Sequence, residues 1–364
     1  MASIDRRPNG KWRARYRLHP GGPQRAKHFD RKADAERFLT RVQSQLLEGA
    51  FVDPDAGKAR LADYVAAWQQ AQVHRPTTAA QVDAHLRNHI LPTFGDRAVA
   101  SIRPSEIQSW VRSCAQVLAP ATVELVYRIF SGILADAAAD RLIARNPAKG
   151  VRLPRKPKRP VEPPSLDRVE AVIEAMPDGY RALVVLAAGT SLRQGECLGL
   201  TVDRVDFLRR SITVDGQLVL AGSGPPVFGP PKTEASVRSV PLPDVVGEAI
   251  ALHIERWPPG PSALLFTNGS GGPIRRNRFN EVWRSATQRA GAERLRFHDL
   301  RHFYASLFIR HGESVKVVQA RLGHASASET LDTYAHLWRD NEERTRAAVD
   351  DVLGGHRVDE QGTG

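Results

Sequence analysis

Between residues 296 and 302 the chain reads RFHDLRH, two histidines four positions apart with an arginine between them. On a helix, positions i, i+3 and i+4 share one face, so His298, Arg301 and His302 can reach a single ligand. Two chemistries compete for this pattern, a metal site and a clamp for phosphate. A zinc hydrolase helix carries H-E-x-x-H, with the glutamate as general base. Here the second position is Asp299, one carbon shorter, and Arg301 would set a permanent cation beside the metal. What the rest of the chain supplies decides between them.

Three segments must position such a site. In residues 1–55, KWRARYRLH alternates strictly, with Trp12, Ala14, Tyr16 and Leu18 on one face and Lys11, Arg13, Arg15 and Arg17 on the other. That pattern predicts a strand with one buried face and one wholly cationic face. A PGG turn and a second strand through Lys27 and Phe29 follow. Asp30 is then placed to cap a helix whose apolar stripe is Ala35, Phe38, Leu39, Val42 and Leu46. A small sheet backed by one helix, with its basic residues outward, suits a DNA groove.

Residues 59–147 read as helical. Leu61, Tyr64, Val65 and Trp68 share one helical face, and further helices are predicted at TTAAQVDAHLRNHIL, RPSEIQSWVRSCAQV and APATVELVYRIFSGILADAAAD. Breaks at PTFGD and VLAP separate them. Residues 148–164 form a basic, proline-rich linker, expected to be extended, in which Lys156 and Lys158 can follow a phosphate backbone. Residues 165–353 mix helices with short strands at RSITV and ASVRSVPL, and the tail at 354–364 is expected to be disordered.

Composition narrows the function classes. The chain has 364 residues and a formal net charge of +12, a field that favours a polyanionic partner. Residues 1–60 carry 14 Lys and Arg against 7 Asp and Glu, more than half of the excess. Cys114 and Cys197 are too few and too far apart for a disulfide framework or a zinc knuckle. MASIDRR lacks the apolar stretch of a signal peptide, and the apolar run from Ala182 to Ala188 is too short to span a bilayer. A soluble, cytoplasmic protein with no membrane partner is the expectation.

Four motifs of the third segment carry the remaining chemistry: TSLRQGECLGL (190–200), PKTEASVRSVPL (231–242), RFHDLRHFYAS (296–306) and RLGHASASETLDTYAHL (321–337). Together they resemble the tyrosine recombinases, particularly the phage-type integrases. The resemblance implies a catalytic set of Arg193, Lys232, His298, Arg301, His324 and Tyr334. It also implies a multidomain, mainly α protein with small β-sheets. A sheet-plus-helix arm-binding domain would precede a helical core-binding bundle and a mixed α/β catalytic domain. Ser191 departs from the family, in which a glycine more usually precedes the Leu-Arg pair.

The chemistry fits those side chains. Cleaving a phosphodiester requires stabilising a pentacoordinate phosphorus whose nonbridging oxygens are anionic, and two guanidinium forks, Arg193 and Arg301, suit that charge. RFHDLRH therefore reads as half of a phosphate clamp, with no metal and no other cofactor expected. The leaving 5′ oxygen needs a proton, and lysine, unlike arginine, can release one when neighbouring cations and desolvation lower its pKa. Lys232, in an expected hairpin loop, is the only lysine between Lys158 and Lys316. Tyr334 is the nucleophile that the resemblance implies, with His298 or His324 taking its proton or bonding the phosphate. Glu196, three residues after Arg193, is placed to brace Arg193 or a histidine.

Phe297, Leu300, Tyr304 and Leu307 are expected to pack the helix against the core while His298 and Arg301 face the groove, and His302 reads as a structural residue. The implied partners are double-stranded DNA attachment sites, three further copies of the chain, a directionality factor (an excisionase) and a host DNA-bending protein. Val349, Val352 and Leu353 form one face of a short C-terminal helix that docks on a neighbour in such families. A type IB topoisomerase shares the chemistry and differs in relaxing supercoils as a monomer.

Overall fold

Alternation in KWRARYR becomes the middle strand of a sheet. The computed structural model describes residues 2–17, 22, 24–47, 56–157, 160–220, 224–231, 236–338 and 342–353. They divide into two units, Met1–Pro157 and Lys158–Gly364. In the first, β1 (Ser3–Arg6), β2 (Trp12–Arg17) and β3 (Gln24–Phe29) pair antiparallel in that order. Ala14 and Tyr16 are buried against Ala35, Leu39 and Val42 of α1 (Lys32–Leu47), with Phe38 and Leu46 partly buried beside them. The stripe read from the sequence is therefore the face that packs.

Two details of this region differ from expectation. Helix α1 starts at Lys32, so the capping position falls on Arg31, whose carbonyl accepts from Ala35, and Asp30 instead pairs with Lys11 at 3.5 Å. The outer face of β2 is also not wholly cationic. Asp5 of β1 stands opposite Arg13 in register and binds both Arg13 and Arg15 at 2.8 Å. Arg17 donates to the Gly22 carbonyl at 2.8 Å. A strand read alone cannot reveal what its neighbour sets across from it.

The helical segment comprises α2 (Leu61–Ala71), α3 (Pro76–His85), α4 (Leu91–Phe94), α5 (Pro104–Val117) and α6 (Pro120–Ala139). Leu61 and Val65 are buried, and Tyr64 and Trp68 pack partly against the same core, around stacked Phe94 and Phe130. A π-type turn at Leu86–Ile90 joins α3 to α4 just ahead of Pro92. Proline offers no N–H to the preceding turn, and a widened register accommodates that loss. The break expected at PTFGD therefore begins only at Gly95.

The linker expected at 148–164 is not one free spacer. Val151 and Leu153 pack on the helical core, and the Gln108 amide exchanges two hydrogen bonds, of 3.0 and 2.9 Å, with the Arg152 backbone. Lys156 pairs with Glu124. Apolar residues at two positions and a side chain matching the backbone hold this stretch on the bundle. Lys158 lies outside the described residues.

The second unit runs α7 (Leu166–Ala175), α8 (Asp178–Thr190), α9 (Gln194–Leu198), β4 (Val205–Asp206), β5 (Ser211–Val214), β6 (Gln217–Leu220), β7 (Pro226–Gly229), β8 (Arg238–Pro241), α10 (Asp244–Arg256), α11 (Arg276–Arg289), α12 (Asp299–Arg310), α13 (Val315–Leu322), α14 (Ala327–Tyr334) and α15 (Glu342–Leu353). One sheet is ordered β4-β5-β8 and another β6-β7. The expected hairpin around Lys232 is corrected by this pairing, since β7 and β8 belong to different sheets. Lys232 itself, like the tail at 354–364, lies outside the described residues.

Two cores meet along α12. Leu300 and Phe303 join the large core with Leu183, Ile212, Val240 and Phe279, whereas Tyr304, Ala305 and Ile309 join a smaller one with Val318, Leu322 and Tyr334. Each fully buried Leu, Ile or Phe contributes about 2 kcal/mol by leaving water. A helix wedged on two sides cannot keep a wide polar face. Arg301 and His302 are accordingly buried, and the groove face expected for Arg301 does not exist in that open form.

Candidate active site

The end of α13 organises the site. Helix α8 stops at Ser191, which is fully buried and takes φ +60°, and the chain turns through Arg193 into α9. Glycine adopts that left-handed conformation without strain, whereas a serine there costs about 1 kcal/mol. The neighbourhood offsets the cost: Ser191 Oγ donates to the Arg321 carbonyl at 3.2 Å, and the Ser191 carbonyl accepts from Arg301 Nη1 at 3.0 Å. Arg301 Nη2 donates to the Leu322 carbonyl, and Arg193 Nη2 to the Gly323 carbonyl at 3.3 Å. Three consecutive carbonyls at the C-terminal, electronegative end of one helix thus receive Ser191, Arg301 and Arg193.

Glu196 fixes Arg193 from the other side. Its carboxylate accepts from Arg193 Nη1 at 3.0 Å, from the Arg193 backbone N–H at 2.8 Å and from Arg238 Nη2 at 2.9 Å. Burial pushes the carboxyl upward, but the hydrogen bond and charge of Arg238, with those of Arg193, outweigh it and leave the pKa below its ordinary value. Arg301 is lowered to about 9 by burial first and then by Arg193 and Arg238, and remains protonated at neutral pH. It uses two of its five N–H donors on carbonyls, and three remain for an anion.

The pKa values of the three histidines of the site are lowered, which favours their neutral form at pH 7. His324 follows the α13 cap, bonds Thr330 Oγ1 through Nδ1 at 2.9 Å and is lowered to about 4 by desolvation and then Arg301. His298 is exposed at the head of α12, where partial desolvation and the Arg301 charge hold it below its usual value. His302, its ring centroid 5.2 Å from that of His298, is lowered to about 4, chiefly by desolvation and then by His298. Its Nδ1 lies 2.7 Å from the Tyr334 hydroxyl. Tyr334, at the end of α14, is 1% exposed, and burial pushes its phenol up to about 12 against the pull of Arg301.

Of the residues singled out in the sequence, Arg193, Glu196, Arg301, His324 and Tyr334 are tied to one another by shared partners or charge, and His298 stands at the edge. Two residues were missed. Arg238 sits in the strand-like ASVRSVPL, where nothing local marks it as the partner of Glu196. His302 had a signal, its i+4 spacing from His298, but its contact with Tyr334 spans two helices. Among the described residues no cluster of three His, Cys, Asp or Glu side chains could hold a metal ion, and no helix is long and apolar enough to cross a membrane.

Fold and site together define a multidomain tyrosine recombinase, and comparison with known proteins agrees. The phage integrase family model matches residues 165–340, and the phage integrase central domain matches residues 59–153. A prophage phiRv2 integrase of Mycobacterium tuberculosis is 32% identical over 338 residues, covering 90% of this chain and 89% of that protein. The Tn1549 transposon integrase, solved in complex with a circular intermediate DNA, shares the fold at a TM-score of 0.67 and 21% identity, over 80% of this chain and 99% of that one. A lambda integrase tetramer bound to a Holliday junction gives 0.58 at 17% identity, over 90% and 94%. The chain belongs to the phage integrase family. Its activity is the breaking and rejoining of DNA strands in site-specific recombination that integrates a phage or other mobile element.

Proposed function

We propose that Tyr334 attacks the scissile phosphate while Arg193 and Arg301 hold its nonbridging oxygens and His298 and His324 hydrogen-bond it. The Oη–P bond forms as the P–O5′ bond breaks, and Lys232 supplies the proton that the leaving oxygen takes up. The resulting 3′-phosphotyrosyl link conserves the bond energy, so a second 5′ hydroxyl can reverse the step without ATP. Glu196 keeps Arg193 in place and touches no reacting atom.

The observation that carries this reading is the end of α13. Two of its carbonyls bring Arg193 and Arg301, distant in sequence, onto one anchor, and Arg301 lies close enough to lower the Tyr334 phenol electrostatically. Preorganised donors of this kind need no rearrangement when charge develops on phosphorus.

Residues 1–55 serve as the arm-site reader and 59–147 as the core-site reader, with Lys11, Arg13, Arg15, Arg17, Lys156 and Lys158 meeting phosphates on double-stranded attachment sites. Four protomers act together, as strand exchange between two duplexes takes four cuts. The exposed Val349, Val352 and Leu353 of α15 support docking on a neighbouring copy. A directionality factor and a host DNA-bending protein assist, in the bacterial cytoplasm.

The test uses nicked duplexes from the DNA flanking the gene, in EDTA, resolved on a denaturing gel. A protein–DNA band that survives SDS with the wild type and is lost in Tyr334→Phe, with duplex binding intact, is the expected result. An adduct that persists in Tyr334→Phe, or needs a divalent metal, would overturn the reading.

A further inference from the structure

A phenol that attacks phosphorus must lose its proton, and burial makes Tyr334 a reluctant donor. The group on its hydroxyl is His302, with Nδ1 2.7 Å from Oη and the two rings edge to face at 5.6 Å between centroids. The pair bridges α12 and α14, and both residues are at least nine-tenths buried. The other histidines are placed less well. His324 spends Nδ1 on Thr330 and turns Nε2 toward Glu329 at 3.8 Å, while His298 stands exposed at the helix head, with the His302 ring beside it.

The groups facing His302 are His298, Asp299, Arg296 and Arg301 from its own helix region, and Tyr334 from α14. Burial first, and then the three of these that are cationic or can become so, keep His302 neutral at working pH.

We infer that His302, one turn beyond His298, is the general base that takes the Tyr334 proton in cleavage and returns it in rejoining. This rests on Tyr334 being the nucleophile. With Nε2 protonated, the Nδ1 lone pair accepts the phenol proton as the Oη–P bond forms, and the P–O5′ pair leaves on oxygen to be protonated by Lys232. In rejoining, the 5′ hydroxyl attacks phosphorus as Lys232, left neutral by cleavage, takes its proton, and the His302 imidazolium returns its proton to the departing phenolate. Charge and atoms balance in both directions, with no co-reactant.

The experiment measures single-turnover adduct formation on a nicked duplex. His302→Asn sets an amide oxygen near the Nδ1 position, so it can hold the hydroxyl without accepting its proton. Its rate should fall on the order of a hundredfold or more, with melting temperature and duplex affinity unchanged. His302→Ala should fall similarly, with recovery in added imidazole. A 5′-bridging sulfur at the scissile phosphate needs no proton on leaving, so it should rescue Lys232→Ala and leave His302→Asn slow.

Three outcomes would overturn the assignment: His302→Asn cleaving at the wild-type rate, His302→Ala cleaving faster than wild type (a latch rather than a base), or rescue of His302→Asn by the bridging sulfur. Failure of the underlying reading looks different. There the wild type forms no adduct, or Tyr334→Phe still forms one.

Discussion

Asp5 and Glu196 each hold two arginines, in opposite surroundings. On the N-terminal sheet Asp5 binds Arg13 and Arg15, and all three side chains remain 23–33% exposed. In the second unit Glu196 binds Arg193 and Arg238 with its own side chain only 2% exposed. Water and salt weaken the first cluster, so a DNA phosphate can take the place of the carboxylate at either guanidinium. Low dielectric strengthens the second and makes loss of one member expensive. Arg193 combines the two conditions: it is anchored on a buried acid yet 30% exposed, so its free N–H groups can meet a phosphate. The same ion-pair chemistry thus gives an exchangeable surface in one place and a fixed scaffold in the other.

The comparison breaks most severely at the buried end. Arg301→Lys replaces a fork held on two carbonyls with a single point charge. Covalent adduct formation should drop on the order of a hundredfold or more, measured on the nicked duplex. A near wild-type rate would mean that the anchored fork does not hold the phosphate.

Glu196→Gln comes next, because it leaves Arg238, whose side chain is 7% exposed, without its buried counter-charge. The loss should be about 3 kcal/mol, read as a lower melting temperature. The pH dependence has a definite sign. The folded pKa of Glu196 lies below the ordinary 4.5, so its stabilisation is complete above that value and is lost as pH falls through the lower, folded one. The wild type should show this loss below pH 4.5, and Glu196→Gln should lack that part of it. Identical acid limbs would mean that Glu196 does not titrate differently on folding.

Asp5→Asn should have the smallest effect and the opposite direction. Freed from their shared acid, Arg13 and Arg15 should bind duplex DNA severalfold more tightly at low salt, with a steeper dependence of affinity on salt. Melting and core-site cleavage should not change. An unchanged affinity would remove phosphate contact from the face of β2.

Much of this was legible in the sequence because it is local. The alternation in β2, the stripe of α1 and the spacing of Leu61, Tyr64, Val65 and Trp68 each follow from a repeat of two or 3.6 residues. The order of arginine, histidine and tyrosine motifs likewise pointed to the family before any geometry was known. What was misread lay one element away in space. Asp5 neutralises β2 from the neighbouring strand, Gln108 holds Arg152 from α5, and β8 pairs with β5 where a hairpin around Lys232 was expected.

The sequence by itself determined which side chains are available and on which helical face each begins: the arginines, the histidines four apart, the tyrosine beyond the Gly-His pair. The tertiary structure alone decided what those side chains are. Arg301 reaches a carbonyl 110 positions away, Arg193 one 130 away, and His302 a hydroxyl 32 away. Those meetings exist only because α12 is wedged between two cores and α13 ends against the α8–α9 corner. The same packing sets the dielectric, turning His302 from a spacing on a helix into a neutral imidazole on the Tyr334 hydroxyl.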